Sequence, residues 1–144
     1  MRFCRACLVA LVFALGLTLA QSNAHADALD DALAHFTAGD FAETDTGISQ
    51  VAASGAPRAE AILQALKNGQ LMFSAEKKAV YIQDENNKLF DAATGQQVSG
   101  DPPADLDTVG VNNRLRGDID AALGGLTLLS HDPVQRYDAA QQVF

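Results

Sequence analysis

Beyond residue 7 this 144-residue chain contains no cysteine. Cys4 and Cys7 stand in a leader-like stretch, so the rest of the chain has no disulfide, no thiol nucleophile and no thiolate metal site. Its core must hold it together unaided in an oxidising compartment. Positive charge is also scarce: ten Lys and Arg stand against eighteen Asp and Glu, a formal net charge of −8. Such a balance argues against nucleic acid and anionic lipid as partners. No Gly-x-Ser-x-Gly elbow, phosphate-cradling glycine loop or zinc-helix motif occurs, which leaves no recognised catalytic signature. After Ala20 no apolar run approaches the roughly 20 residues of a membrane-spanning helix.

One apolar run does occur, at the start. Arg2 and Arg5 precede "LVALVFALGLTLA" (Leu8 to Ala20), and Ala24-x-Ala26 then supplies small residues for a cut before Asp27. This three-part pattern is that of a secretory signal peptide. As a helix the run would rise only about 20 Å, short of the roughly 30 Å hydrocarbon core, so cleavage and export are expected rather than anchoring. Removal of residues 1–26 takes away Arg2 and Arg5 but none of the acidic residues, moving the net charge from −8 to −10. With 48% apolar content, what remains is expected to bury a core and to lie in the periplasm or on the periplasmic face of the inner membrane.

Three short amphipathic helices are expected over 27–69. Leu29, Ala32, Leu33 and Phe36 recur at helical spacing, with Asp27 as a cap and Gly39 as an end. Asp40 and Glu43 stand in capping-box spacing before a stripe of Phe41, Thr44, Ile48, Val51 and Ala52, which Gly47 weakens by about 1 kcal/mol relative to alanine. Pro57 suits the first position of a third helix lined by Ala59, Ile62, Leu63 and Leu66 and closed by Gly69.

From Gln70 the period shortens to two. Leu71, Phe73 and Ala75 alternate with polar residues, as do Val80 and Ile82, and "DENN" separates these from "KLFDA". Three short antiparallel strands are therefore expected within 70–100, followed by "SGDPPAD" as a loop. In 101–144, Asn112 or Asn113 can cap a helix whose buried face is Leu115, Ile119, Ala122, Leu123 and Leu126. Arg114 and Arg116 then each have an aspartate four residues on, Asp118 and Asp120, in the weaker cation-first order. Asp132 and Pro133 open a last helix with Tyr137, Ala140 and Phe144 on one side. Its Pro133, Arg136, Ala139 and Ala140 partly repeat the Pro57-Arg58 unit. The expected fold is thus mainly α, with short HEAT-like helical hairpins and a small three-stranded antiparallel β insert (α+β).

"VNNRLR" at 111–116, followed by "AALGGLTLLSHDP" at 121–133 and then Arg136 and the Ala139-Ala140 pair, resembles the amino-terminal extracytoplasmic region of urea ABC transporter permease subunits, relatives of the branched-chain amino-acid permeases. The signal-like start, "VAASGAPRAEAILQAL" and the strands through "LFDAATG" extend the resemblance over essentially the whole chain. It implies urea import, alongside a membrane-embedded permease part, a periplasmic urea-binding protein and cytoplasmic ATPases. The transmembrane permease has no counterpart here, so the expected function is a scaffold or interaction domain rather than a translocation path, a fragment or severed front end of a permease. The alternative expectation is a free-standing exported helical-repeat adaptor for another periplasmic protein.

Asn112, Asn113, Arg114 and Arg116 are the candidate protein-contact residues on either expectation. No catalytic, cofactor or metal residues are expected. His35 and His131 are far apart and lack ligands at metal spacing; in "DENNKL", Lys88 and Leu89 occupy positions where a calcium loop needs a ligand and a glycine. Asp105 and Asp107 form a possible carboxylate pair, but before a helix start carboxylates are favoured electrostatically anyway. Enzymatic function is therefore not expected.

Overall fold

The computed structural model describes residues 20–128, with side chains described from Ala26 onward. Most of the expected leader and the whole of the expected last helix, 132–144, lie outside the described residues. In chain order the elements are α1 (Ala20–Ala34), a 3-10 turn (His35–Ala38), α2 (Phe41–Ala53), α3 (Ala59–Lys67), β1 (Leu71–Ser74), β2 (Ala79–Gln83), β3 (Leu89–Asp91), β4 (Leu106–Thr108) and α4 (Asn113–Leu128).

Most of the helix signals act as their chemistry dictates. Leu29, Ala32, Leu33 and Phe36 are all buried, and Gly39 ends the 3-10 turn in the left-handed conformation. Asp40 caps α2 by accepting from the Ala42 and Glu43 amides at 2.8 and 2.9 Å. Gly69 closes α3 in a Schellman arrangement, with its amide on the Leu66 carbonyl and that of Gln70 on Ala65. The exceptions include Asp27, which lies inside α1 rather than capping it, Pro57, which sits in the turn before α3, and Phe41, which is 52% exposed.

Gly47 has a role that helix propensity does not reveal. A Cβ there would stand 3.0 Å from two ring carbons of Phe36 and 3.3 Å from the Ala32 carbonyl. The missing side chain lets α1 and the 3-10 turn lie directly on α2, and Phe36 is fully buried as a result.

The sheet corrects the expected fold. It has four strands rather than three, all antiparallel, in the order β3-β2-β1-β4. Leu71 faces Ile82 and Phe73 faces Val80 across β1 and β2, which sets these four side chains on the inner face toward the helices. Nor are the helices stacked as HEAT-like hairpins. α4 returns to pack on α2 and α3, placing Leu115, Ile119 and Leu123 in the same core as Leu71, Val80, Ala92 and Val109. The described fold is therefore a mixed α+β unit whose core draws on every segment. A repeat array buries its faces only against its neighbours; here one helical layer closes on itself and on a sheet.

Arg58, read as part of a repeat unit, binds within this fold. Its Nε donates to the Ala92 carbonyl at 2.9 Å, and a Cβ on Gly95 would collide with the guanidinium. α3 is thereby tied to the turn after β3.

Strands β3 and β4 occupy opposite edges, so residues 92–105 must cross the sheet to connect them. At the far end of that crossing Asp105 accepts from Ser74 Oγ at 2.7 Å and from the Glu76 amide at 2.9 Å, while Ser74 Oγ accepts from the Lys77 amide at 3.0 Å. Ser74 is fully buried. This lock seats β4, whose ladder continues to the Val109 amide on the Leu71 carbonyl.

Candidate functional site

The start of α4 carries the four candidate contact residues, and each has a distinct environment. Asn112 is half-buried and caps the helix, its Oδ1 accepting from the Leu115 amide at 2.9 Å. Its side chain is committed to the fold. Asn113 opens α4 and is exposed. Arg114 reaches across to α2, where Nη2 meets Asp45 Oδ2 at 2.6 Å. Arg116 is exposed and forms no ion pair among the described residues.

Helical geometry separates the arginines. Two residues along an α-helix turn through about 200°, so Arg114 and Arg116 flank opposite sides of the buried Leu115–Ile119–Leu123 stripe. Arg114 looks toward α2. Asp120, one turn after Arg116, instead pairs with Lys67 of α3 at 2.7 Å. The two arginine–aspartate pairs expected within α4 are thus replaced by bridges to its neighbours. Released from that role, Asp118 is half-buried, and its Oδ2 has no hydrogen-bond partner among the described residues.

Beside Arg114 lies a feature that hydrophobic periodicity misplaced. The Phe41 ring rests over Gly110, where a Cβ would come within 3.3 Å of it, and Asp45 follows one turn later on α2. An exposed aromatic, a glycine shelf and an Arg–Asp pair therefore adjoin one another. The spacing of Phe41 and Asp45, four residues apart, was the available signal that they share a face. Such a surface offers apolar contact and guanidinium donors to a protein partner.

Several polar groups away from α4 have structural partners. His35 Nδ1 lies 2.6 Å from Glu43 Oε2, joining the 3-10 turn to the first turn of α2 and drawing Glu43 away from a reciprocal capping box. Asp84 organises the β2–β3 turn by accepting from the Asn86 and Lys88 amides, each at 2.8 Å, while Asn87 takes the left-handed conformation. These bonds, that from Lys88 first, hold the Asp84 carboxyl below its ordinary range. Asp105 is likewise lowered, chiefly by the Glu76 amide and then by the Ser74 hydroxyl. Asp107 accepts from the next amide, Thr108, at 2.7 Å. No group of three or more His, Cys, Asp or Glu among the described residues could hold a metal ion.

A shallow cleft of about 200 Å³ lies beside the same turn, between Leu89, Val98 and Pro102, with Asn87, Lys88 and Gln97 at its rim. It involves none of the α4 residues. Among the described residues, no helix is long and apolar enough to cross a membrane. Neither a scan against protein-family models nor searches of curated proteins and of solved structures finds a match.

Proposed function

We propose that this chain is the extracytoplasmic interaction portion of a urea-type ABC importer permease, exported to the periplasmic side and acting without catalysis or cofactor. The observation that carries the proposal is the resemblance of Val111–Arg116 and of 121–133 to the corresponding region of urea permease subunits. The placement of Asn113, Arg114 and Arg116 on the exposed start of α4 is compatible with a contact role, and Asn112 sets that helix start. Its partners on this reading are the membrane part of the permease and the periplasmic urea-binding protein.

The test is a binding titration of the purified protein against the cognate urea-binding protein, comparing wild type with an Arg114→Glu, Arg116→Glu double variant. Weak, specific association is expected, with a loss of about tenfold or more in the variant, since reversing contact charges opposes association. Unchanged binding by the variant would remove the arginines from the contact. Absence of any binding, to this protein or to the membrane part, would overturn the reading.

A further inference from the structure

We propose that the Met72 sulfur is a peroxide-oxidation site, and that the sulfoxide formed there loosens strand β4. Apart from Met1, Cys4 and Cys7, Met72 carries the one sulfur of the chain. With no thiol beyond residue 7, it is the softest nucleophile that the described fold offers to a peroxide. Leu71 and Phe73 face the helices, so Met72 between them stands on the opposite face of β1, where it is half-buried. Its cross-strand neighbours there are Tyr81 of β2 and Thr108 of β4. Thr108 is exposed, and its hydroxyl donates to Met72 Sδ at 3.3 Å. The site shares no residue with the candidate contacts at the start of α4.

A thioether sulfur has two lone pairs, and in this fold one of them accepts from Thr108. Oxygen transfer is therefore directed to the other. That lone pair attacks one oxygen of hydrogen peroxide, and an S–O bond forms as the O–O bond breaks. The second oxygen leaves as hydroxide, which takes the proton from the first and becomes water. Sulfur is oxidised by two electrons and the peroxide is reduced by two. Because a sulfoxide is chiral at sulfur, the folded chain yields mainly one epimer. The added oxygen enlarges and polarises a side chain in the row Tyr81–Met72–Thr108. β2 is held between β1 and β3, whereas β4 pairs with β1 alone among the described strands. β4 also has a single apolar residue, Leu106, so it is the strand that gives way. Sulfoxide reductases, each acting on one epimer, reverse the change.

The test treats the purified full chain, folded or unfolded in urea, with hydrogen peroxide. The tryptic peptide Asn68–Lys77 is then read by mass before and after digestion with each of two epimer-specific sulfoxide reductases. From the folded protein, one reductase should remove most of the oxygen and the other little; from the unfolded chain each should remove about half. Thr108→Val keeps the branched shape and loses the hydroxyl, so it should move the folded ratio toward the unfolded one. Amide exchange at the Val109 N–H should speed up several-fold on oxidation while the β1–β2 ladder is unchanged, and the matching reductase should restore it. Met72→Leu, of similar volume and without sulfur, should lose this response to peroxide. No oxygen on Met72 under conditions that oxidise the unfolded chain overturns the site. Equal epimers from the folded wild type, or a ratio unchanged in Thr108→Val, overturns the role of Thr108. Unchanged Val109 exchange in the oxidised protein, or faster exchange that persists in Met72→Leu, overturns the loosening of β4 by the sulfoxide.

Discussion

On its inner face the sheet presents Leu71 and Val80, flanked by Phe73 and Ile82, to the helical layer, whereas on the opposite face Ser74 binds the carboxylate of Asp105 and Tyr81 feels the charges of both Asp91 and Asp105. The inner contact is apolar area removed from water, indifferent to pH and tolerant of small shifts. The outer one depends on a carboxylate held in its charged form by two donors, and burial together with the negative charges of Asp91 and Asp105 raises the Tyr81 hydroxyl above its ordinary 10.0. One fold thus combines a face governed by packing with a face governed by protonation.

Phe36→Ala should break the packing side most severely. Truncating this fully buried ring, which lies against Gly47, is expected to cost about 3–5 kcal/mol, read from denaturant unfolding. The cost should be the same at pH 7 and pH 4. Gly47→Ala sharpens the comparison through its sign. Helix propensity alone predicts a gain of about 1 kcal/mol, but the new Cβ meets Phe36 at 3.0 Å and should instead cost about 1–3 kcal/mol through overpacking. A stabilised Gly47→Ala protein would show that α1 and α2 are less closely packed than described.

Asp105→Asn should have the smallest effect and the only pH-dependent one. The folded-state pKa of Asp105 is depressed, so its contribution is fully present above the ordinary 3.8 and is lost as pH falls from there through the lower folded value. The stability gap between wild type and Asp105→Asn should therefore be constant at neutral pH and close below about pH 3.8. A gap that persists in acid would mean that the lock does not depend on charge. Asp84, lowered for a similar reason, is present in both proteins and so cancels from the difference.

The same division explains what the sequence made legible. Leu29 to Phe36 and Ala59 to Leu66 announced their helices because each apolar stripe repeats over two turns and ends at a glycine that the structure places in the left-handed region. The β1–β2 pairing followed from alternation. β4 did not, because Leu106-Asp107-Thr108 has a single apolar residue and owes its place to Asp105 binding Ser74, 31 positions away. Gly47 read as a weakness because its function belongs to the ring of Phe36, which no local pattern reveals. The split of Arg114 from Arg116 needed only helical geometry, but their partners needed the tertiary fold: Asp45 lies 69 residues before Arg114. The expected repeat rested on Pro57 and Arg58, and the bond from Arg58 to Ala92 spans 34 residues that a local motif does not contain.

The crossing of the sheet by residues 92–105 also sets an order of assembly. β1 and β2 meet across the short turn at Ala75–Lys78, a closure of the kind that takes microseconds. β4 reaches β1 only after the chain has gone out through β2 and β3 and come back, so its ladder carries a larger loop-closure cost. The last strand to join is therefore also the most weakly secured by apolar burial. Amide exchange should reach the Val109 N–H, which β4 delivers to Leu71, before it reaches the central ladder of β1 and β2. In kinetic terms the Asp105 lock acts as a late latch: it does not direct the chain to the fold, but it slows the first step of leaving it.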